Sequence, residues 1–285
     1  MSSSFIHHTL MMLEDIGMSV KYPDIRHVKV NEDGGFNRHL SFCCMTGTRV
    51  SIEQNQQMKF MMMFTLLDFY IDSNYPDLEG KSFAKKYKNL PSESDFDLML
   101  RELFRIAKVI RNSLVHNPSS FKISDGNLDI SYQFRETDFV VKMSVDALSS
   151  FYTSLVMYTK GDLGKGNYFL GVMRSIYKNI LDGIFCFSDE FNRELNTPSI
   201  GLKIKPHVRE IFMNPEYVIK GSQVHMKVAN IAAPEWQGSD FYIEYNGNEV
   251  LVPMEALGED LNIDEAELMK SWKYESLFPP IRKNL

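Results

Sequence analysis

The spacing of apolar residues in the first half of the chain predicts two long helices. Residues 53–72, EQNQQMKFMMMFTLLDFYID, contain neither glycine nor proline and are soon followed by a proline that stops a helix. Between Ser94 and Pro118, apolar residues recur at steps of three and four, which places them on one helix face. They are Phe96, Leu100, Leu103, Ala107, Ile110 and Leu114. We expect this helix to begin at a cap on Ser94 or Asp95 and to end near His116, because Pro118 disfavours helical geometry in the residue before it.

Alternating patterns predict β structure in three other places. FKIS, LDISYQF and DFVVKM, all within residues 121–143, are separated by turn residues and predict a small β meander. Helical patterns return at residues 145–158 and 168–184. Beyond residue 187, the strand-like runs QVHMKVANIA and DFYIEYNGNEVLVP precede a last helix at 264–272. Near the start of the chain, HVKV and HLSFCC flank the turn signal EDGG and predict a hairpin.

These patterns divide the chain into three predicted segments. Residues 1–50 form a lead-in with a β hairpin, residues 51–187 form a helical domain, and residues 188–285 form a smaller α+β region. The sequence does not indicate a role for the last segment. Because helices dominate the central segment, the fold class predicted for the whole chain is mainly α.

Composition restricts the class of protein and the compartment. With 44% hydrophobic and 24% charged residues, the chain can bury a sizeable core without covalent crosslinks. A formal net charge of -6 argues against a general nucleic-acid coat protein, although it leaves room for a local basic site. The three cysteines, Cys43, Cys44 and Cys186, suggest no disulfide framework. Without an unbroken apolar segment for export or for spanning a bilayer, we expect a cytoplasmic protein with no membrane partner.

The segment RNSLVH, near the end of the second predicted helix, carries the residues with the clearest chemical potential. Arg111 keeps its charge and presents a planar fork that matches a phosphate group. His116 can serve as a general acid or base, while Asn112 can hold a substrate or orient the histidine. Arginine and histidine are also favoured near a helix C-terminus by the helix dipole alone. A helix C-terminus with no catalytic role therefore stays open as an alternative.

This segment resembles the HEPN superfamily, whose signature is an arginine followed after four to six residues by a histidine, commonly with a polar residue after the arginine. The likeness covers roughly residues 53–184 and implies a HEPN-like helical bundle, here with a small β meander. It implies a metal-independent endoribonuclease that cleaves RNA through the 2′-hydroxyl at a homodimer interface, with no cofactor. Many members are toxins or defence effectors, so a neutralising protein partner is also implied. Non-catalytic binding of RNA or nucleotide, or a protein-interaction module, is the alternative.

The resemblance also concerns two further positions. Family members often carry an acidic residue late in the first helix, and Asp68 is the one expected to pair with Arg111. Asp72 lies four residues further on, so the two carboxylates share a helix face, where they can hold a metal or simply face solvent. The family's tyrosine variant is absent, since Pro118 stands two residues after His116. This departure puts nucleotidyl-transfer pairing in doubt and leaves RNase chemistry open.

Helix geometry constrains how the two motif residues can act together. Positions five apart on a helix point about 140° away from each other at about 100° per residue. Arg111 and His116 therefore cannot face one phosphate from a single helix, whereas two copies related by a twofold axis can bring both residues together.

A basic stripe repeats on the side of this helix opposite its apolar face. Arg101, Arg105 and Lys108 form the stripe, which can follow an RNA backbone through its phosphate groups. A solvated helix face has the same pattern, so both interpretations stay open.

Overall fold

The structure is a computed structural model, and it describes residues 25–31, 34–38, 56–161, 163–205, 208–228 and 237–274. Within these ranges the chain has six α-helices, together with twelve strands in three sheets. It is an α+β protein, so the predicted mainly α class is wrong. The strands outside the central segment build two sheets of their own, whereas the longer helical runs had dominated the sequence pattern. None of the described helices is long and apolar enough to cross a membrane.

The chain divides into two compact units. Among the described residues, the first unit comprises 56–160 and 176–199. The second comprises the described parts of 25–38, 161–175 and 200–274. Each unit therefore gathers segments that are distant in sequence.

Helices supply much of the core of the first unit. They are α1 (Gln56–Asn74), α2 (Phe83–Asn89), α3 (Asp95–His116), α4 (Val145–Lys160) and the last residues of α5 (Asn167–Asp182). The methionine-rich α1 buries Phe60, Met63, Leu66 and Leu67 completely. Its apolar character is therefore explained by packing within the chain.

Helix α3 forms as its spacing predicts. The Ser94 hydroxyl accepts a hydrogen bond from the Asp97 amide at 3.1 Å, so the predicted cap is confirmed. The helix ends at His116, and the Asn117 amide closes its last turn by donating to the Ser113 carbonyl at 2.7 Å. Pro118 then starts a short 3-10 turn, which leads the chain away from the helix axis.

The predicted meander forms three strands of a four-stranded antiparallel sheet in the first unit. Its strands are β3 (Lys122–Ser124), β4 (Asn127–Phe134), β5 (Thr137–Ser144) and β6 (Ile184–Ser188), in that order. Leu128 and Ile130 of β4 are buried, as are Val141 and Met143 of β5, so one face of the sheet packs into the core. The opposite face carries polar groups such as the exposed pair of Lys142 with Asp129.

The second unit is built on a five-stranded sheet. Its strands are β1 (Ile25–Val30), β2 (Phe36–Arg38), β7 (Val208–Met213), β10 (Gln237–Tyr245) and β11 (Asn248–Pro253). Strand β7 lies between β1 and β10 and is parallel to both, while β2 and β11 pair antiparallel at the edges. Strand β1 thus belongs to a hairpin with β2, and the run HLSFCC predicted to be its partner lies outside the described residues.

A smaller sheet completes the described part of the second unit. It consists of β8 (Tyr217–Lys220), β9 (Gln223–Met226) and β12 (Asn262–Asp264), and helix α6 (Glu265–Ser271) follows directly. The Asp264 side chain caps α6 by accepting from the Ala266 amide at 2.9 Å.

A buried ion cluster lies in the second unit around Arg209. Its guanidinium donates to Asp240 from Nε at 3.1 Å and to Glu255 from Nη1 at 2.6 Å. The Tyr168 hydroxyl donates to Asp240 at 2.7 Å. Burial alone would raise the pKa of Glu255, but the hydrogen bond and charge of Arg209 bring that pKa below its ordinary value. The hydrogen bonds to Asp240 and Glu255 fix the position of the Arg209 side chain.

Gly238→Ala is expected to destabilise the protein by roughly 1–3 kcal/mol, because overpacking a filled core costs about that much. A Cβ at position 238 would lie 2.1 Å from Nη1 of Arg209, and the ion cluster prevents that side chain from moving aside. Urea unfolding measures the change. Ser239→Ala, at the next residue, is the control and should have little effect, since its buried hydroxyl has no hydrogen-bond partner among the described residues. Equal stability of the two variants would contradict the close approach of Gly238 to Arg209.

Candidate functional site

An open pocket with a volume of about 240 Å³ lies at the C-terminal end of α3. Side chains from the helix end and from the β4–β5 hairpin form it, chiefly Asn112, His116, Asn117, Tyr132, Phe134 and Phe139. Asn117, one of the lining residues, directly follows the helix and precedes Pro118. His116 occupies the last helical turn and is exposed to solvent. The pocket therefore joins two of the predicted site residues, Asn112 and His116, with a set of aromatic side chains.

The aromatic side of the pocket comes from the register of the hairpin. Tyr132 and Phe139 are directly paired across β4 and β5, and their rings are nearly parallel with centroids 5.1 Å apart. Phe134, at the end of β4, is 55% exposed. The guanidinium carbon of Arg135 lies 5.3 Å from the centre of the Phe134 ring. A largely exposed ring beside a buried aromatic pair provides a surface on which a planar ligand can stack.

Arg111 does not line this pocket. Its guanidinium carbon lies 4.9 Å from the centre of the Phe83 ring on α2, and its Nη1 donates to the Asn112 side chain at 3.2 Å. The side chain is half-buried there. Within one chain, the structure thus brings Asn112 and His116 together at the pocket but holds Arg111 against α2. This arrangement agrees with the wide angle between the two positions on the helix.

Asp68 pairs with a lysine in this structure. The Lys86 ammonium lies 2.6 Å from Oδ1 of Asp68 and 2.5 Å from Oδ1 of Asp72. Burial raises the pKa of Asp68, and the hydrogen bond and charge of Lys86 only partly offset that rise. Arg111 acts on Asp68 through its charge and by less than Lys86 does. The two carboxylates therefore enclose an ammonium group, and no cluster of three His, Cys, Asp or Glu among the described residues is arranged to hold a metal ion.

The predicted basic stripe is largely covered by protein. Arg105 is 0% exposed and forms a two-pronged pair with Asp189, with Nε–Oδ2 and Nη2–Oδ1 distances of 2.8 and 2.7 Å. Lys108 is 2% exposed and pairs with Glu190. Arg101 is half-buried and donates from Nε to the Tyr87 carbonyl at 3.1 Å. An RNA backbone has little access to side chains held in this way.

The sequence pattern missed several side chains that line the pocket. Asn117 follows the helix end, and Tyr132, Phe134 and Phe139 come from the hairpin. The alternation of β4 and β5 indicates that Tyr132 and Phe139 share a face, and the turn between the strands sets their register. That signal pairs the two rings with each other, but it does not place them beside His116.

The chain matches none of the known proteins with which it was compared. No protein-family model, no curated protein and no solved structure matches it. The resemblance to the HEPN superfamily therefore stays a prediction based on the Arg111–His116 segment, and the case for a function rests on the pocket.

Proposed function

We propose that this protein is a cytoplasmic endoribonuclease that uses the chemistry of HEPN nucleases, with its RNA substrate held in the pocket beside His116. The observation that carries the proposal is an exposed imidazole at a pocket that combines aromatic rings with side-chain amides. Aromatic rings stack on unpaired bases, and amides form hydrogen bonds with base edges. Single-stranded RNA offers both ring faces for stacking and base edges for hydrogen bonds, since its bases are not engaged in a duplex. A role as a toxin or defence effector belongs to the same proposal.

The reaction needs two proton transfers and one positive charge. The 2′-oxygen loses its proton and bonds to the adjacent phosphorus, while the bond from phosphorus to the leaving 5′-oxygen breaks and that oxygen takes up a proton. The products are a 2′,3′-cyclic phosphate and a 5′-hydroxyl. His116 serves one of the proton transfers, as a general acid or base, and solvent water accepts or supplies the other proton. An arginine guanidinium stabilises the charge on the phosphate oxygens.

The arginine comes from a second copy of the chain. In one copy, Arg111 lies against Phe83 and outside the pocket that His116 lines. A twofold arrangement of two α3 helices places Arg111 of each copy near His116 of the other. The active form in this proposal is therefore a homodimer, and no metal ion takes part in the step.

The purified protein is expected to cleave labelled single-stranded RNA in buffer containing EDTA and to leave DNA of the same sequence intact, because DNA lacks the attacking hydroxyl. Mass spectrometry of the fragments should find 2′,3′-cyclic phosphate and 5′-hydroxyl ends. RNA with a single 2′-deoxy substitution before the cleaved bond is the matched control and should resist cleavage at that bond. Cleavage of both nucleic acids, or activity that EDTA abolishes, would contradict the proposed chemistry.

The contacts of Arg111 also favour a second candidate function, which is RNA or nucleotide binding without cleavage. The Arg111 side chain is already engaged by the Phe83 ring and the Asn112 amide. If a second copy does not draw it away, the pocket keeps its aromatic and amide contacts but lacks the charge for the chemical step. Binding of single-stranded RNA with no fragments after long incubation would favour this candidate.

A further inference from the structure

We infer that the tip of the β4–β5 hairpin docks single-stranded RNA at this pocket. The Phe134 ring stacks on one unpaired base, and the Arg135 guanidinium binds a phosphate of the same strand. This inference rests on the proposed function in one respect, namely that the ligand of the pocket is RNA. It adds two residues to the site that lie outside the Arg111–His116 segment. Because neither contact depends on which base is present, docking is independent of base identity.

Phe134 belongs to the core-facing row of β4 and yet is largely exposed. Successive side chains of a strand alternate between the two faces of the sheet, and Leu128, Ile130 and Tyr132, at steps of two before Phe134, are all buried. Phe134 continues this row but is 55% exposed, and its cross-strand neighbour is the small Thr137. Among the described residues, no other aromatic ring packs against it. The row therefore continues past the buried part of the sheet face, and its last ring is left open at the pocket.

A large exposed ring that lines a pocket matches the flat face of a nucleobase. Every base has such a face, so stacking depends little on which base is present. The amides of the pocket allow the same tolerance. Asn112 and Asn117 each accept one hydrogen bond within the chain, which leaves a second acceptor site beside the N–H donors of each amide. Donors and acceptors are thus both present, and base edges of either kind can be accommodated.

Arg135 is an exposed cation beside that ring. Its guanidinium carbon lies 5.3 Å from the centre of the Phe134 ring, and among the described residues it forms no ion pair. Its φ angle is 55°, which glycine adopts readily and other residues rarely do. The turn would form more easily with glycine, so turn formation does not account for the arginine. A guanidinium that no carboxylate holds, next to a ring on which a base stacks, is in place to bind a phosphate of that strand.

The surroundings of the hairpin tip favour an anionic strand on the pocket side. None of the described residues that line the pocket is acidic. Thr137 pairs with Phe134, so the next side chain, Asp138, points to the opposite face of the sheet. Glu136 is exposed to water, which screens its charge. The predicted basic stripe on α3 is held in buried contacts, whereas Arg135 is open to a ligand.

Phe134→Ala is expected to weaken the binding of single-stranded RNA by about 5- to 150-fold, the usual effect of removing one base stack. The measurement is fluorescence anisotropy with a short 2′-O-methylated oligonucleotide of mixed sequence, which binds but cannot be cleaved. Since a stack carries no charge, the dependence of affinity on salt should stay at its wild-type value. Phe134→Trp keeps a ring and should bind at least as tightly as the wild-type protein. Phe185→Ala, which removes a ring that is 65% exposed on β6 of the same sheet but outside the pocket, is the control and should bind normally.

Arg135→Gly is expected to lower the slope of log affinity against log salt concentration by about 0.7, the value for one phosphate contact with a single strand. Glycine fits the φ angle of 55°, so the variant should keep the turn and the thermal stability of the wild-type protein. Arg135→Lys keeps the charge and should keep the slope. Lys122→Ala, which removes an exposed cation on β3 of the same sheet, is the control and should also keep it.

Either of two outcomes would overturn the inference: unchanged affinity in Phe134→Ala, or an unchanged salt slope in Arg135→Gly. Cleavage is measured separately with unmodified RNA, so the two proposals can fail independently. Cleavage by the wild-type protein together with either of these outcomes would leave the nuclease proposal standing and remove the docking role of the hairpin tip. Binding that depends on both residues, with no cleavage, would support the docking role and favour the RNA-binding function.

Discussion

Replacing His116 with alanine is expected to lower the rate of RNA cleavage by a factor of about 10²–10⁴, which is the usual contribution of a general acid or base. The imidazole is exposed at the pocket and packs little against the core, so the variant should fold normally. The loss should appear in kcat more than in KM, because the aromatic and amide contacts with the substrate are kept. His225→Ala, at a position in β9 in the other unit, is the control and should leave the rate unchanged. An active His116→Ala protein would remove the proposed proton transfer.

Mixing two inactive variants separates a shared site from a site within one chain. Arg111→Ala and His116→Ala proteins are each expected to be inactive. When equal amounts are unfolded and refolded together, half of the dimers should contain one copy of each. Every mixed dimer has one intact site, with His116 from one copy and Arg111 from the other, so about a quarter of the wild-type activity should return. If the refolded mixture stays inactive while its dimers form, the site is not shared between two copies.

Replacing Arg105 with alanine is expected to lower the free energy of unfolding by about 3–5 kcal/mol, the usual cost of removing one partner of a buried ion pair. The substitution leaves the Asp189 carboxylate buried without its two-pronged partner. It also leaves two backbone carbonyls, of Arg193 and Glu194, without the donors that now lie 2.8 and 3.0 Å away. Urea unfolding followed by circular dichroism measures the difference.

The control for Arg105 is an ion pair that is open to water in the same unit. Lys142 pairs with Asp129 at 2.9 Å, and both side chains are about half exposed. Lys142→Ala should therefore change stability far less than Arg105→Ala, since water replaces the lost partner. If the two variants unfold at the same urea concentration, burial does not determine how much the Arg105 ion pair contributes to the free energy of unfolding.

Local patterns predicted the elements of the first unit well. The steps of three and four between Ser94 and Pro118 predicted the helix that forms at Asp95–His116, and the cap on Ser94 is confirmed. The turn residues near Asp125 and Arg135 predicted the hairpins, and both residues adopt positive φ angles of 51° and 55°. Such features depend on neighbours within a few residues, so the sequence reveals them directly.

Contacts between distant residues explain what the sequence did not reveal. Arg105, one turn after Arg101, looked like part of a solvated stripe because its partner Asp189 is 84 residues away. The mainly α prediction failed for a related reason. Strand β7 pairs in parallel with β1, and most of the sequence lies between these two strands. The angle between Arg111 and His116 was predictable from helix geometry alone. The position of the hairpin rings beside His116 was not predictable in this way, because it depends on how the sheet packs.

The position of β7 between β1 and β10 also has a consequence for synthesis on the ribosome. Strand β1 leaves the ribosome early, whereas its parallel neighbour Val208–Met213 is translated only after the whole first unit. Until β7 has been synthesised, the backbone groups along one edge of β1 therefore have no strand to pair with. An unpaired strand edge favours pairing with other chains. Truncated products that end before β7 should accumulate in aggregates, and the second unit should fold more slowly than the helices of the first.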